Sequence, residues 1–157
     1  MKNLITVIIG IAILMSSCTQ VVDIAVEEAK VNTVIDQSTE VVKAEDMDLF
    51  SKVFAQDADM IVFGTDSPER AVGYEALKEL VQKQFEETES TKISAKDRII
   101  KVHDSGRVAW FSEVIDWEIE AEGQTVKLEG VRGTGILENR NGNWVIVQLH
   151  YSLPAGG

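Results

Sequence analysis

The chain has 157 residues and a formal net charge of −11, from 15 basic against 26 acidic side chains, with one cysteine and two histidines. No basic cluster offsets the acidity, which excludes a phosphate-gripping nucleic-acid surface and leaves anionic lipid headgroups nothing to hold on the protein body. A lone cysteine excludes an internal disulfide.

Residues 1–17 open with Lys2, run apolar from Leu4 to Met15 and close with Ser16 and Ser17 before Cys18. The run is shorter than the about 20 residues that span a bilayer, so it reads as a secretory signal. Ser16-Ser17-Cys18 resembles the bacterial lipoprotein processing box, which implies cleavage before Cys18 and its lipidation. The expected organisation is a lipoprotein signal peptide over 1–17, a lipidated N-terminus and short tether over 18–26, and one domain over 27–155. Its expected place is the cell envelope, periplasmic or at the cell surface, with the lipid at Cys18 as its membrane attachment.

From Asp23 to about Lys43, Val31, Val34, Ile35 and Val42 recur at helical spacing among charged residues, which predicts a long amphipathic helix. A short helix over Asp48–Ala55 and a strand over Met60–Phe63 follow, and SPERAVG reads as a turn-rich connection. Leu77, Leu80, Val81 and Phe85 predict a helix over Tyr74–Glu87. The period then changes. Ile93–Val102, Val108–Ile119, Val126–Leu137 and Trp144–Ser152, separated by DSG, EG and RNG, predict four consecutive antiparallel strands. Helices before a meander make an α+β domain with helices on one face of a curved sheet.

Strand register decides which side chains share a face. A two-residue Glu122-Gly123 turn opposes Trp117 to Leu128, Ile119 to Val126, Glu118 to Lys127 and Glu113 to Arg132. A three-residue Arg140-Asn141-Gly142 turn opposes Ile136 to Ile146, Thr134 to Gln148 and Arg132 to His150. The inner face then has an apolar part, with Phe111, Trp117 and Ile146, and a polar end with Glu113, Arg132, Thr134, Gln148 and His150. Such a group forms either a closed network or a wet cavity. As a ligand site, Arg132 would anchor a planar oxygen group, Gln148 and His150 would orient it, and the apolar residues would wall it. As a catalytic site, His150 would be the acid or base. No metal site is expected, since the two histidines are far apart in sequence, and no cofactor is called for.

WVIVQLHYSLP, preceded by GVRGTGILENRNGN, resembles the ending of SnoaL-like domains in the nuclear transport factor 2-like superfamily, and FAQDADMIVFGTD with VGYEALKELV resembles their earlier elements. The resemblance implies a cone, a curved sheet wrapped around helices with a pocket inside, and homodimerisation through the outer sheet face. That face is expected to carry Trp110, Val114, Val131, Val145, Val147, Leu149 and Tyr151, with Gly133 and Gly135 between them. Where the related ketosteroid isomerases have their general-base Asp, this chain has Val62, so that chemistry is not carried over. Three readings follow: an anchored domain that binds a small, partly apolar molecule; an isomerase, dehydratase or hydrolase centred on His150; and a dimerisation module without an active pocket.

Overall fold

A computed structural model of the chain describes residues 22–155, so the expected signal peptide, Cys18 and the first part of the expected tether lie outside the described residues. Helix α1 covers Ile24–Ala44 and α2 covers Met47–Val53. Each starts on an aspartate whose carboxylate accepts from a first-turn amide, Asp23 from Val26 at 3.2 Å and Asp46 from Leu49 at 2.8 Å. Between them Glu45 takes a left-handed φ of 53°, the usual way a helix stops and the chain turns. Strands β1 (Ile61–Phe63) and β2 (Arg70–Val72), helix α3 (Tyr74–Glu87) and the long strands β3 (Ser90–Val102), β4 (Val108–Ala121), β5 (Gln124–Arg140) and β6 (Asn143–Ser152) complete it.

The six strands form one sheet in the order β2-β1-β6-β5-β4-β3. The four-strand meander is present as the sequence predicts. The connection SPERAVG instead contains β2, which pairs antiparallel with β1, and β1 lies parallel to β6 with Ile61 beside Gln148 and Phe63 beside His150. Val31 and Ile35 of α1, Phe50 and Val53 of α2, Phe111, Leu137, Trp144, Ile146 and Leu149 make the core between helices and sheet. Val62 lies in that core.

Three β-bulges bend the long strands, and each adds one residue to one strand of a pair, so that inside and outside exchange beyond it. In β3 the irregularity falls between Lys96 and Ile99, with Asp97 at a φ of 53°. In β5 it falls at Glu129-Gly130, between the pairs Ile115–Val131 and Trp117–Leu128, with Gly130 at a φ of 69°. In β6 the extra residue is Val147, between the pairs Leu137–Ile146 and Ile136–Gln148.

These bulges correct the predicted register. Around the Glu122-Gly123 turn, Trp117–Leu128, Glu118–Lys127 and Ile119–Val126 pair as expected. Past Gly130 the pairing slips, so Glu113 opposes Gly133 rather than Arg132. The last hairpin turns on two residues rather than three: Arg140 pairs with Asn143, and Asn141 and Gly142 both take positive φ, 57° and 93°. Val147 then shifts the rest, so His150 opposes Thr134, and Arg132 opposes Ser152. Val131, Gly133, Gly135, Leu137, Trp144, Ile146 and Leu149 are buried, while Arg132, Thr134, Ile136 and His150 are exposed. The bulges keep apolar side chains inside at the expense of the strict alternation on which the earlier register rests.

Candidate functional site

Of the eight residues expected to form a binding site, Glu113, Phe111, Trp117 and Ile146 do face inward. Arg132, Thr134, Gln148 and His150 belong to the outer face, because the bulges at Gly130 and Val147 intervene. Arg132 donates from Nη2 to the carbonyl of Leu153 at 2.9 Å, and the His150 ring stands edge-on to Phe63, 5.8 Å between centroids. No Glu113–Arg132 pair forms. The predicted outer face is corrected in the same way: Val131, Gly133, Gly135 and Leu149 are buried inside, and Tyr151 packs against Trp117 and the core.

A different arginine takes the place expected for Arg132. The left-handed Asp97 breaks the β3 alternation so that Arg98 shares the inner face with Ile100 and Val102, opposite Glu113 and beneath α1. Its Nε donates to Glu113 Oε2 at 2.7 Å, and its Nη1 donates to Asn32 Oδ1 at 2.9 Å and Asp36 Oδ1 at 2.5 Å. Asn32 and Asp36, one turn apart on α1, are themselves joined at 3.0 Å. Nη2 of Arg98 and Oε1 of Glu113 have no hydrogen-bond partner among the described residues. Three elements distant in sequence thus meet on one guanidinium, whose planar fork suits several oxygen acceptors.

The environments of the two carboxylates differ. The Glu113 side chain is 3% exposed and that of Asp36 58%. Burial raises the Glu113 pKa above its ordinary value; Arg98 opposes the shift and the Asp36 charge adds to it. Tyr151 neighbours this pair, and burial, followed by the negative charge of Glu113, pushes its hydroxyl well above the usual phenol range. The Tyr151 ring meets Trp117 edge-on at 5.0 Å. Trp117 Nε1 is buried and has no partner among the described residues, a donor that ordinarily carries a cost.

Gly133 makes this arrangement possible. A Cβ there would stand 3.2 Å from Tyr151 Cε1 and 3.4 Å from Glu113 Cγ, so the bare backbone gives both side chains their seat. Gly135 does the same for Phe111, whose Cε1 would be 2.5 Å from an added Cβ.

The network opens to solvent through a groove of about 490 Å³ between α1 and the β3 bulge, lined by Asn32, Asp36, Thr39 and Glu40 on one side and Ala95 to Arg98 on the other. Asp36, Glu40 and Asp97 make it acidic, and Lys96 is drawn away to Asp116 at 2.8 Å. It therefore disfavours anions and suits a neutral or cationic guest. Among the described residues no three of His, Cys, Asp and Glu are placed to hold a metal ion. His103 is engaged in the β3–β4 turn, where its Nδ1 lies 2.9 Å from Ser105 Oγ. Sequence reasoning missed Arg98, Asn32 and Asp36; the available signal was the Lys96-Asp97-Arg98 charge run interrupting an otherwise alternating strand.

The family model described as a SnoaL-like domain matches residues 31–156. No curated protein matches the chain. A nuclear transport factor 2-like superfamily protein of Salmonella enterica superposes with a TM-score of 0.75 at 16% identity, over 84% of this chain and 94% of that one. A candidate dehydratase of the same fold family from Streptomyces avermitilis gives 0.75 at 15%, over 84% and 99%. A hexachlorocyclohexane dehydrochlorinase of Novosphingobium barchaimii gives 0.71 at 12%, over 83% and 88%. At these identities the structural likeness concerns the fold alone.

Proposed function

Because the chain belongs to the SnoaL-like domain family, whose fold hosts many chemistries, function has to be argued from its own site, and we propose that it is a lipid-anchored domain that binds a small, neutral, partly apolar molecule between α1 and β3. The observation that carries this reading is Arg98, a partly buried guanidinium at the floor of the groove with Nε and Nη1 committed to the protein and Nη2 left over. A carbonyl or hydroxyl oxygen of the ligand accepts from Nη2, and a ligand hydroxyl donates to Asp36. A carboxylate ligand, the natural partner of a free arginine, is disfavoured by the acidic surroundings. The test is a thermal-shift screen of neutral hydroxylated and carbonyl compounds, since ligand that binds only the native state raises its stability. Thr39→Trp would fill the groove while leaving every hydrogen-bonding residue of the Arg98 network in the sequence. Hits are expected to vanish in that variant, and hits that persist would remove the groove from the proposal.

A second reading rests on Glu113. A buried carboxylate with a raised pKa and one free oxygen has the properties of a general base. Proton abstraction by such a base starts an elimination, the class to which dehydration and dehydrochlorination, named for two of the structural neighbours, belong. His150, on the opposite face of the sheet, has no part in this version. Glu113→Gln is expected to abolish turnover of a bound substrate and retain its binding; retained turnover would leave the binding reading alone.

The outer sheet face supports self-association. Phe63, Val72, Ile99, Trp110 and Ile136 are each at least 39% exposed on it, and a shallow depression of about 330 Å³ lies among Ile99, Trp110, Ile136 and Gln148. An apolar face of this extent is stabilised by a second copy of the chain.

A further inference from the structure

We infer that the anchored domain stands on its membrane with the β3–β4 turn toward the lipid, so that the groove opens sideways into the aqueous phase and takes a water-borne ligand rather than a bilayer lipid. This rests on the lipid anchor at Cys18 and on the groove as the binding site.

The first described residue is already fixed to the fold. Val22 packs onto Gly106 in the β3–β4 turn, so closely that a Cβ on Gly106 would come 2.7 Å from Val22 Cγ1. The next residue, Asp23, caps α1. Between Cys18 and Val22 lie only Thr19, Gln20 and Val21. Four residue steps at no more than about 3.6 Å each put Val22, which packs on Gly106, within about 14 Å of residue 18. The chain therefore enters the domain at one defined corner, on a leash too short to reach the opposite end.

That corner gathers several elements. Asn139 donates its backbone N–H to the carbonyl of Arg107 at 2.8 Å, and Trp144 Nε1 donates to Glu27 in the first turn of α1 at 2.7 Å. The β3–β4 turn, the β5–β6 hairpin end and the start of α1 thus form a single end of the molecule. Val26 and Val108, both on it, are exposed apolar side chains, 48% and 37%. Asp23, Glu28 and Asp104 keep it from being a basic headgroup clamp, so the tether and not charge sets the approach.

The distance of the groove from that end follows from two independent rulers. Along α1, Asn32 and Glu40 stand about 13 and 25 Å from Asp23 at about 1.5 Å per residue. Along β3, Arg98 stands about 16 Å from His103 at about 3.3 Å per residue. With the β3–β4 turn toward the lipid and α1 and β3 rising from it, the mouth is held clear of the headgroup layer, and an acyl chain would have to leave the bilayer completely to enter it.

The experiment couples the Cys18 thiol of the chain lacking residues 1–17 to maleimide-bearing lipid in phosphatidylcholine nanodiscs and compares amide hydrogen exchange with the uncoupled protein. Several-fold slowing is expected at residues 103–107 and 140–143, with none at 121–124 or at the groove residues 36–40. A Gly/Ser segment inserted between Thr19 and Gln20 is expected to remove that slowing. Slowing at 121–124 or at 36–40, or no slowing anywhere, would overturn the orientation. Intact-mass analysis of the protein made in cells tests acylation separately, so a missing lipid would refute the anchor without touching the geometry measured by chemical coupling. The Thr39→Trp comparison tests the groove independently of both.

Discussion

The two faces of one sheet give the most instructive contrast in this molecule. Strands β3 to β6 supply both, yet the inner face carries Arg98 bonded to Glu113, with Tyr151 beside the pair, while the outer face carries Ile99, Trp110 and Ile136 exposed to solvent. Residues next to each other in sequence, such as Arg98 and Ile99, have opposite fates. The polar group is inside and the apolar group outside, the reverse of what burial alone favours. What the inversion teaches is that the inner charges are tolerated because Arg98 and Glu113 pair with each other, whereas the outer apolar groups are left in solvent.

The contrast is broken most severely at Arg98. Arg98→Met leaves Glu113 buried without its counter-ion, a loss expected to cost about 3 kcal/mol or more. Arg132→Ala, on the outer face, removes one bond to Leu153 and is expected to cost about 0.5 kcal/mol or less. Urea denaturation of both variants measures the difference, and equal losses would erase the distinction between the faces. Next in size is Gly135→Ala, whose methyl meets the Phe111 ring and the Gln148 carbonyl oxygen, 2.5 and 2.9 Å away; an overpacking loss of about 1–3 kcal/mol is expected in the same assay.

Glu113→Gln sharpens the comparison through pH. The folded-state pKa of Glu113 lies above its ordinary 4.5, so its favourable contribution is complete below 4.5 and is lost as pH rises through the folded value. The stability of Glu113→Gln relative to the unmutated protein should therefore increase as pH rises through that window. Parallel stability curves would show that the carboxylate is not perturbed. On the outer face, Ile136→Glu should shift sedimentation toward monomer at micromolar concentration with little change in the monomer's far-ultraviolet spectrum. The smallest effect is expected from His150→Gln: unchanged stability within about 0.5 kcal/mol and unchanged ligand-induced thermal shift. A lost thermal shift in this variant would return the outer face to the binding site.

Much of this fold was legible in the residues. Helical spacing of Val31, Val34 and Ile35 located α1, and the Glu122-Gly123 signal placed three cross-strand pairs correctly. Local chemistry was sufficient there because turn and strand preferences act over a few residues. The candidate site was less legible, because membership of a face depends on every bulge between a residue and its turn. Gly130 offered a hint, since an isolated glycine in a strand often marks a bulge. Val147 offered none: a β-branched residue in an apolar run looks like any strand position. Arg98 was hidden for a related reason, since its position depends on Asp97 adopting a left-handed conformation that aspartate tolerates but does not announce.

The parallel pairing of β1 with β6 also has a kinetic consequence. Residues 61–63 find their neighbours only at 148–150, so the β1–β2 hairpin has no sheet to join until nearly the whole chain has emerged. The meander from β3 to β6 can form from neighbouring segments, whereas joining β1 to it must first close a loop of more than eighty residues, a contact that slows folding. A chain stopped before Asn143 would lack the acceptor strand altogether. Until then the facing edges of β1 and β6 stay unpaired, and late closure of this kind leaves two strand edges open to wrong partners.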